Sequence, residues 1–236
     1  MTMRLLLLTI VAIAFTSCDG MPGKPESTEK WKPPEKVAAF EDLYRMNCLG
    51  CHGDGQSIAG SITLKNPVYL AAIQREVLRD IIANGVPGHN MPSFSTKNGG
   101  PLDEAQIETL VEGITSWRDS SALPSAPIPP YAAALGDIAS GAAAFGSSCA
   151  SCHGSDGDGS PKAGSLVNRF YLSLVSDQYL RSVTIAGRPE LGCPDFSNRM
   201  PGVPMTAQTV SDVVAWLASH RKNEFGQPAT PTGDQP

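Results

Sequence analysis

The chain has 236 residues and a formal net charge of −5, with 41% hydrophobic and 17% charged residues. This composition is ordinary for a globular protein, and the length suffices for one large domain or two small ones. No basic stripe interrupts the acidic balance, which excludes a nucleic-acid-binding protein.

The N-terminus, MTMRLLLLTIVAIAFTSCDG, has the features of an export signal. Arg4 precedes an apolar run, Leu5–Phe15, that is too short to span a bilayer, so residues 1–17 are predicted to be a signal peptide. FTSC resembles the lipobox of bacterial lipoproteins, although Phe15 stands where leucine is usual. A lipid on Cys18 is therefore expected to anchor the protein at the periplasmic face of the cytoplasmic membrane, with residues 18–36 as a Pro-rich tether. Cleavage of an ordinary signal peptide nearby is the alternative.

An internal repeat organises the rest of the chain. The segments CLGCH (48–52) and CASCH (149–153) lie 101 residues apart, and an offset of 102 aligns 66–95 with 168–197, where ten of 30 positions are identical. Gly85 and Pro92 match Gly187 and Pro194 in this alignment. We therefore predict one module at 37–119 and a second at 137–222, joined by a Pro/Ala-rich linker at 120–136 and followed by a disordered tail at 223–236.

Each module is predicted to contain three main helices, because apolar residues recur at helical spacing and no alternating strand pattern is present. Gly85 and Gly187 end the middle helices as C-caps. In chain order the predicted helices are Lys36–Asn47, Glu76–Asn84, Asp103–Trp117, Ile138–Ser148, Asp177–Ala186 and Thr206–His220. The fold class is therefore all-α.

The motif Cys-x-x-Cys-His, present once in each module, is the attachment signature of c-type haem. Two thiols one helical turn apart can add to the two vinyl groups at one edge of the porphyrin, and the adjacent histidine lies beneath the iron as its proximal ligand. The predicted residues are Cys48, Cys51 and His52 in the first module and Cys149, Cys152 and His153 in the second. Redox and zinc sites also use Cys-x-x-Cys. A zinc site would need ligands that recur in both modules, and neither His89 nor His220 recurs.

Both modules resemble class I cytochrome c domains, and residues 37–222 resemble the dihaem cytochrome c lipoproteins of bacterial respiratory chains. NCLGCHG with GHNMPSF carries the resemblance in the first module, and SCASCHG with GRPELGCPDF carries it in the second. The resemblance implies two tandem class I cytochrome c domains, each a small helical bundle around a covalently bound haem c. It also implies that His52 and Met91 are the fifth and sixth iron ligands of the first haem. A core-filling role for Met91 is the alternative.

The second module departs from the family pattern at the sixth ligand. Cys193 stands opposite Met91, where family sequences typically read Gly-Met-Pro-Asp. With His153 as the fifth ligand, Cys193 is the expected sixth; Met200 is the alternative, and Met205 or an open site are further possibilities. A thiolate ligand would give the second haem a much lower potential than a His/Met haem.

The resemblance implies a membrane-tethered electron carrier of a respiratory chain rather than an enzyme. Such a carrier would take electrons from a bc-type complex or a dehydrogenase and pass them to a terminal oxidase. Two other functions stay open: a haem enzyme that oxidises a sulfur compound of the thiosulfate type at a Cys-ligated haem, and a redox or gas sensor.

Overall fold

A computed structural model describes residues 31–54 and 60–222. The predicted signal peptide, Cys18, most of the proposed tether and the predicted tail lie outside the described residues. Within the described residues, none of the helices is long and apolar enough to cross a membrane.

Ten α-helices and no β-strand occur in these ranges, which confirms the all-α class. The first module holds α1 (Phe40–Asn47), α2 (Leu49–His52), α3 (Pro67–Ala72), α4 (Arg75–Asn84) and α5 (Glu104–Ser116). The second holds α6 (Ile138–Ser148), α7 (Ala150–His153), α8 (Arg169–Leu174), α9 (Asp177–Ala186) and α10 (Ala207–Ser219).

The helices repeat with the register of the sequence alignment. Both α3 and α4 recur 102 residues later as α8 and α9, with the same lengths. The first helix begins at Phe40 rather than at Lys36, because Ala39 has the extended backbone of an N-cap residue (φ −78°, ψ 133°). Six-residue helices α3 and α8 were not predicted, and each starts from an asparagine cap, Asn66 or Asn168.

The first and last helices of each module cross at a glycine, but the glycine is on opposite partners in the two modules. In the first module Phe40 of α1 lies on Gly113 of α5, where an added Cβ would be 2.0 Å from the Phe40 ring. In the second, Gly141 of α6 faces α10, where an added Cβ would be 2.0 Å from the Asp212 carbonyl oxygen and 2.8 Å from Trp216 Cβ. Both modules thus pack a larger residue against a glycine where the two helices cross, but the glycine lies on the last helix in the first module and on the first helix in the second.

Replacing Gly141 with alanine is expected to destabilise the protein by about 1–3 kcal/mol, because the new methyl group would meet backbone that cannot move aside cheaply. Gly146 on the same helix is a matched control, since a Cβ there meets nothing within 4 Å. Gly146→Ala should be neutral or stabilising by up to about 1 kcal/mol, because alanine has the higher helix propensity. Urea unfolding of the two variants measures both effects, and equal midpoints would contradict the close crossing.

The two modules pack against each other through α3 and α9. Asn66 Nδ2 donates a buried hydrogen bond of 3.0 Å to the carbonyl oxygen of Ala186. The predicted linker lies on α9: Arg181 is only 3% exposed and donates to the carbonyl oxygens of Pro130 (2.8 Å) and Tyr131 (3.1 Å). The Tyr131 ring packs edge-on against Tyr69 of α3, with centroids 6.2 Å apart. A buried polar contact and an aromatic contact therefore fix the position of one module on the other.

Candidate functional site

The Cys-x-x-Cys-His motif of each module forms one helical turn directly after the first helix. Cys48 is both the C-cap of α1 and the N-cap of α2, and its carbonyl oxygen accepts from the backbone N–H of His52 at 3.0 Å. Gly53 ends the turn with a φ of 65°, a conformation that favours glycine. The turn buries Cys48 and leaves Cys51 exposed.

The second module repeats this geometry. The Cys149 carbonyl oxygen accepts from the N–H of His153 at 3.0 Å, and Gly154 ends the turn with a φ of 80°. Cys149 is buried and Cys152 is exposed. Both motifs therefore present two thiols and a histidine from one turn, which is the arrangement that attachment at two neighbouring vinyl groups requires.

A backbone carbonyl orients each predicted proximal histidine. His52 Nδ1 lies 2.9 Å from the carbonyl oxygen of Ile62, and His153 Nδ1 lies 2.8 Å from that of Gly164. A carbonyl accepts only, so the proton stays on Nδ1 and the Nε2 lone pair is left to bind a metal. In both modules, therefore, a backbone carbonyl sets the ring orientation of the histidine and leaves Nε2 available as a donor atom.

Met91 lies in a loop that folds back over the end of α4. Its carbonyl oxygen accepts from the Val86 N–H at 2.9 Å, and a Cβ on Gly85 would come within 2.6 Å of that oxygen. Gly85 has a φ of 71°, so glycine is needed here for both backbone conformation and space. The Met91 side chain is partly buried.

Cys193 occupies the same place in the second module. Its carbonyl oxygen accepts from the Arg188 N–H at 2.8 Å, and a Cβ on Gly187 would come within 2.6 Å of it. The Cys193 thiol lies near enough to the His153 side chain for each group to shift the pKa of the other. The structure thus brings Cys193 to the histidine of its own module.

The two alternative methionines differ in position. Met200 is partly buried at the start of a turn, where its carbonyl oxygen accepts from the Val203 N–H at 3.1 Å. Met205 is 5% exposed and its N–H donates to the Phe196 carbonyl oxygen, as Leu102 donates to that of Phe94 in the first module. Met205 is therefore a core residue in the structure.

Local environment shifts the pKa values of these groups in different directions. Burial raises the pKa of the Cys193 thiol, but the neighbouring His153 and the Arg199 guanidinium outweigh it and lower the pKa to about 7. The neighbouring Cys193 in turn raises the pKa of His153, whereas burial lowers that of His52. Burial is also the main cause that raises the pKa of Cys48 to about 11.

Arg199 is the contact residue that the sequence patterns did not identify. It lies in an irregular loop, where a single charge has no periodicity to mark it. The available signal was the repeat itself, because extending the offset of 102 two residues past the aligned block places Lys97 opposite Arg199.

The family model for subunit III of cbb3-type cytochrome c oxidase matches residues 35–112 and 136–217, one match for each module. The chain belongs to this family. It is a dihaem class I cytochrome c with two covalently bound haem c groups. The tandem cytochrome c fold that the resemblance implied is thereby confirmed.

Curated relatives are similar over part of their length. The chain is 32% identical over 135 residues to the cbb3-type cytochrome c oxidase subunit CcoP of Rubrivivax gelatinosus, covering 57% of this chain and 39% of that protein. It is 30% identical over 135 residues to CcoP of Cereibacter sphaeroides, covering 52% and 41%. The chain thus spans about two fifths of the length of these relatives. Among solved structures, the Kuenenia stuttgartiensis reducing HAO-like protein complex Kustc0457/Kustc0458 matches 82% of this chain and 100% of its own chain, with 16% identity and a TM-score of 0.43.

The residues present fit this cofactor. Each module offers two thiols from one helical turn and an imidazole whose Nδ1 is held by a carbonyl oxygen. Each also offers a sulfur-containing residue in a loop pinned by a glycine. Thiols, an imidazole and a further sulfur donor are the kinds of group that a c-type haem uses as covalent anchors and axial ligands.

Proposed function

We propose that this dihaem cytochrome carries electrons to the terminal oxidase of a respiratory chain and receives them from a bc-type complex or a dehydrogenase. The observation that carries the proposal is the carbonyl-oriented histidine in both modules, paired in the repeat with a loop that presents a sulfur ligand. Iron ligated on both sides supplies a reversible one-electron couple and has no open position for a substrate. The CcoP relatives, named as oxidase subunits, support an oxidase as the acceptor.

The proposal assigns specific roles to the residues of the two sites. Cys48, Cys51, Cys149 and Cys152 would attach the haems. His52 with Met91 and His153 with Cys193 would be the axial pairs, with Met200 as the alternative in the second module. The polypeptide supplies binding, orientation and tuning of potential, and no further side chain is needed for the transfer itself.

We place the protein at the periplasmic face of the cytoplasmic membrane, anchored by a lipid on Cys18. Support comes from the lipobox-like FTSC and from the apolar run before it. The Pro-rich segment 18–36 would hold the two haem domains, 37–119 and 137–222, within reach of membrane-bound partners.

Stopped-flow mixing tests the function. Dithionite-reduced cytochrome, freed of excess dithionite and mixed with a cbb3-type oxidase that lacks its subunit III, is expected to be oxidised within seconds when oxygen is present, and quinol with a bc-type complex should reduce the first haem again. The α-band absorbance follows both reactions, and heat-inactivated oxidase is the control. Haems that stay reduced for minutes beside active oxidase would contradict the proposal, as would steady turnover of thiosulfate with an artificial acceptor.

A further inference from the structure

Arg199 is fixed at the end of α9 by backbone carbonyls. Its Nη2 donates to the carbonyl oxygens of Val183 and Thr184, both at 3.0 Å, and Nε is 3.3 Å from the latter. Carbonyls of a last helical turn have few intrahelical partners and carry partial negative charge, so a guanidinium is held there by both geometry and charge. The guanidinium group is planar and rigid, so these two carbonyl contacts also fix the direction of its remaining N–H groups.

That direction leads to Cys193. Arg199 Nη1 lies 3.5 Å from Cys193 Sγ, within hydrogen-bonding distance for sulfur. The Cys193 backbone is pinned independently through its bonds to Arg188 and its close approach to Gly187. The fixed guanidinium therefore contacts a sulfur atom whose backbone is itself fixed.

The first module has no such arrangement at the equivalent position. Lys97, which stands six residues after Met91 as Arg199 stands six after Cys193, pairs instead with Glu104 at 3.0 Å, and its side chain is 78% exposed. The carbonyls of Ile81 and Ile82, which match those of Val183 and Thr184, accept from the backbone N–H groups of Gly85 and Phe94. The fixed guanidinium therefore accompanies cysteine and not methionine in the sixth-ligand loop.

A nearby positive charge stabilises a thiolate much more than a thioether. A thioether is neutral and gains little from a guanidinium, whereas a thiolate is stabilised by a charge-assisted hydrogen bond. Such a bond also draws electron density away from the sulfur and reduces what the sulfur gives to iron, as second-shell donors do at metal sites.

We propose that Arg199 is a positioning residue for the second haem: fixed on the Val183 and Thr184 carbonyls, it holds Cys193 Sγ at the axial position and moderates its electron donation. This inference rests on Cys193 being the sixth ligand. It implies that Arg199 raises the potential of the second haem above that of an unbonded thiolate, because both its charge and its hydrogen bond favour the ferrous state.

Potentiometric titration and ferric EPR of the purified dihaem protein test the inference with Arg199→Met and Arg199→Lys. Arg199→Met should shift the midpoint potential of the second haem downward and change its low-spin EPR signal, leaving the first haem unchanged. Arg199→Lys keeps the charge and should recover part of the shift. Lys97→Met, at the equivalent position of the first module, is the matched control and should move neither potential. An unchanged second haem in Arg199→Met would overturn the inference.

Variants of Cys193 show whether a failure concerns the role of Arg199 or the assignment of Cys193 as the sixth ligand. If Cys193→Ser keeps the parent EPR signal, the ligand assignment is wrong and the inference fails with it. If Cys193→Ser changes the signal and Arg199→Met does not, only the inference fails. With Cys193→Met, the Arg199→Met shift should be much smaller, and an equal shift in both backgrounds would show a long-range charge effect and overturn the specific contact. Arg199→Gln carries the same expectation if Arg199→Met does not mature with two haems.

Discussion

Replacing Cys193 with methionine is expected to raise the midpoint potential of the second haem by a few tenths of a volt, a fraction of the ~0.8 V that axial ligands span. A thiolate donates charge and stabilises ferric iron, whereas a thioether is a neutral, soft donor that favours ferrous iron. The loop should accept methionine, because Met91 and Cys193 have the same backbone contacts. In each module the carbonyl oxygen of this residue accepts a hydrogen bond from the N–H that follows Gly85 or Gly187, and it packs against that glycine. Redox titration followed at the α-band measures the change.

Met200→Leu is the matched control for this prediction. If Cys193 is the ligand, Met200→Leu should leave the near-infrared and EPR spectra of the ferric protein unchanged, and Cys193→Ser should alter them. The reverse pattern would transfer the ligand role to Met200, which lies seven residues along the chain in the turn closed by the Val203 N–H. In that case the two haems would have similar ligation and similar potentials.

The register of the repeat could be predicted from sequence because it rests on residues with strict backbone or chemical requirements. Gly85 and Gly187 both have positive φ and no room for a side chain, so the alignment through them also aligns the loops that hold Met91 and Cys193. Helices α4 and α9 consequently have the same offset of 102 residues in the structure. Nine- or ten-residue amphipathic segments that end at a glycine are the features that periodicity finds best.

Tertiary partners could not be predicted in the same way. Asn66 and Asn168 are identical in the repeat and both cap a six-residue helix, but the structure shows Asn66 also donating across the module interface to Ala186. Arg79 and Arg181 are likewise aligned: Arg79 pairs with Glu108, whereas Arg181, beside Ser211, takes the linker carbonyls. In each pair the difference lies in what surrounds the residue, and that is fixed by chain packing rather than by local pattern.

The six cysteines are expected to separate into three functional classes when replaced. Cys48→Ala with Cys51→Ala, and Cys149→Ala with Cys152→Ala, should each leave one covalently bound haem instead of two, because the altered motif has no thiol left to form a thioether. Cys193→Ser should keep both haems covalently bound, since Cys193 lies outside the two Cys-x-x-Cys-His motifs. Cys18→Ser should also keep both haems but move the protein out of the membrane fraction. Intact mass, haem staining of denaturing gels and membrane fractionation measure these outcomes.

Loss of the haem from one module should also lower the thermal stability of the other module, which still contains its haem. Helix α9 of the second module receives the buried bond from Asn66, and Arg181 on α9 holds the linker at Tyr131, which packs on Tyr69. A second module without its haem is expected to be less stable as a whole, so α9 would give less support to the interface with α3. The thermal midpoint of the remaining haem's α-band should therefore fall in the Cys149/Cys152 variant. An unchanged midpoint would show that the first module is stable without its neighbour, and that the contacts through Asn66 and Tyr69 contribute little to it.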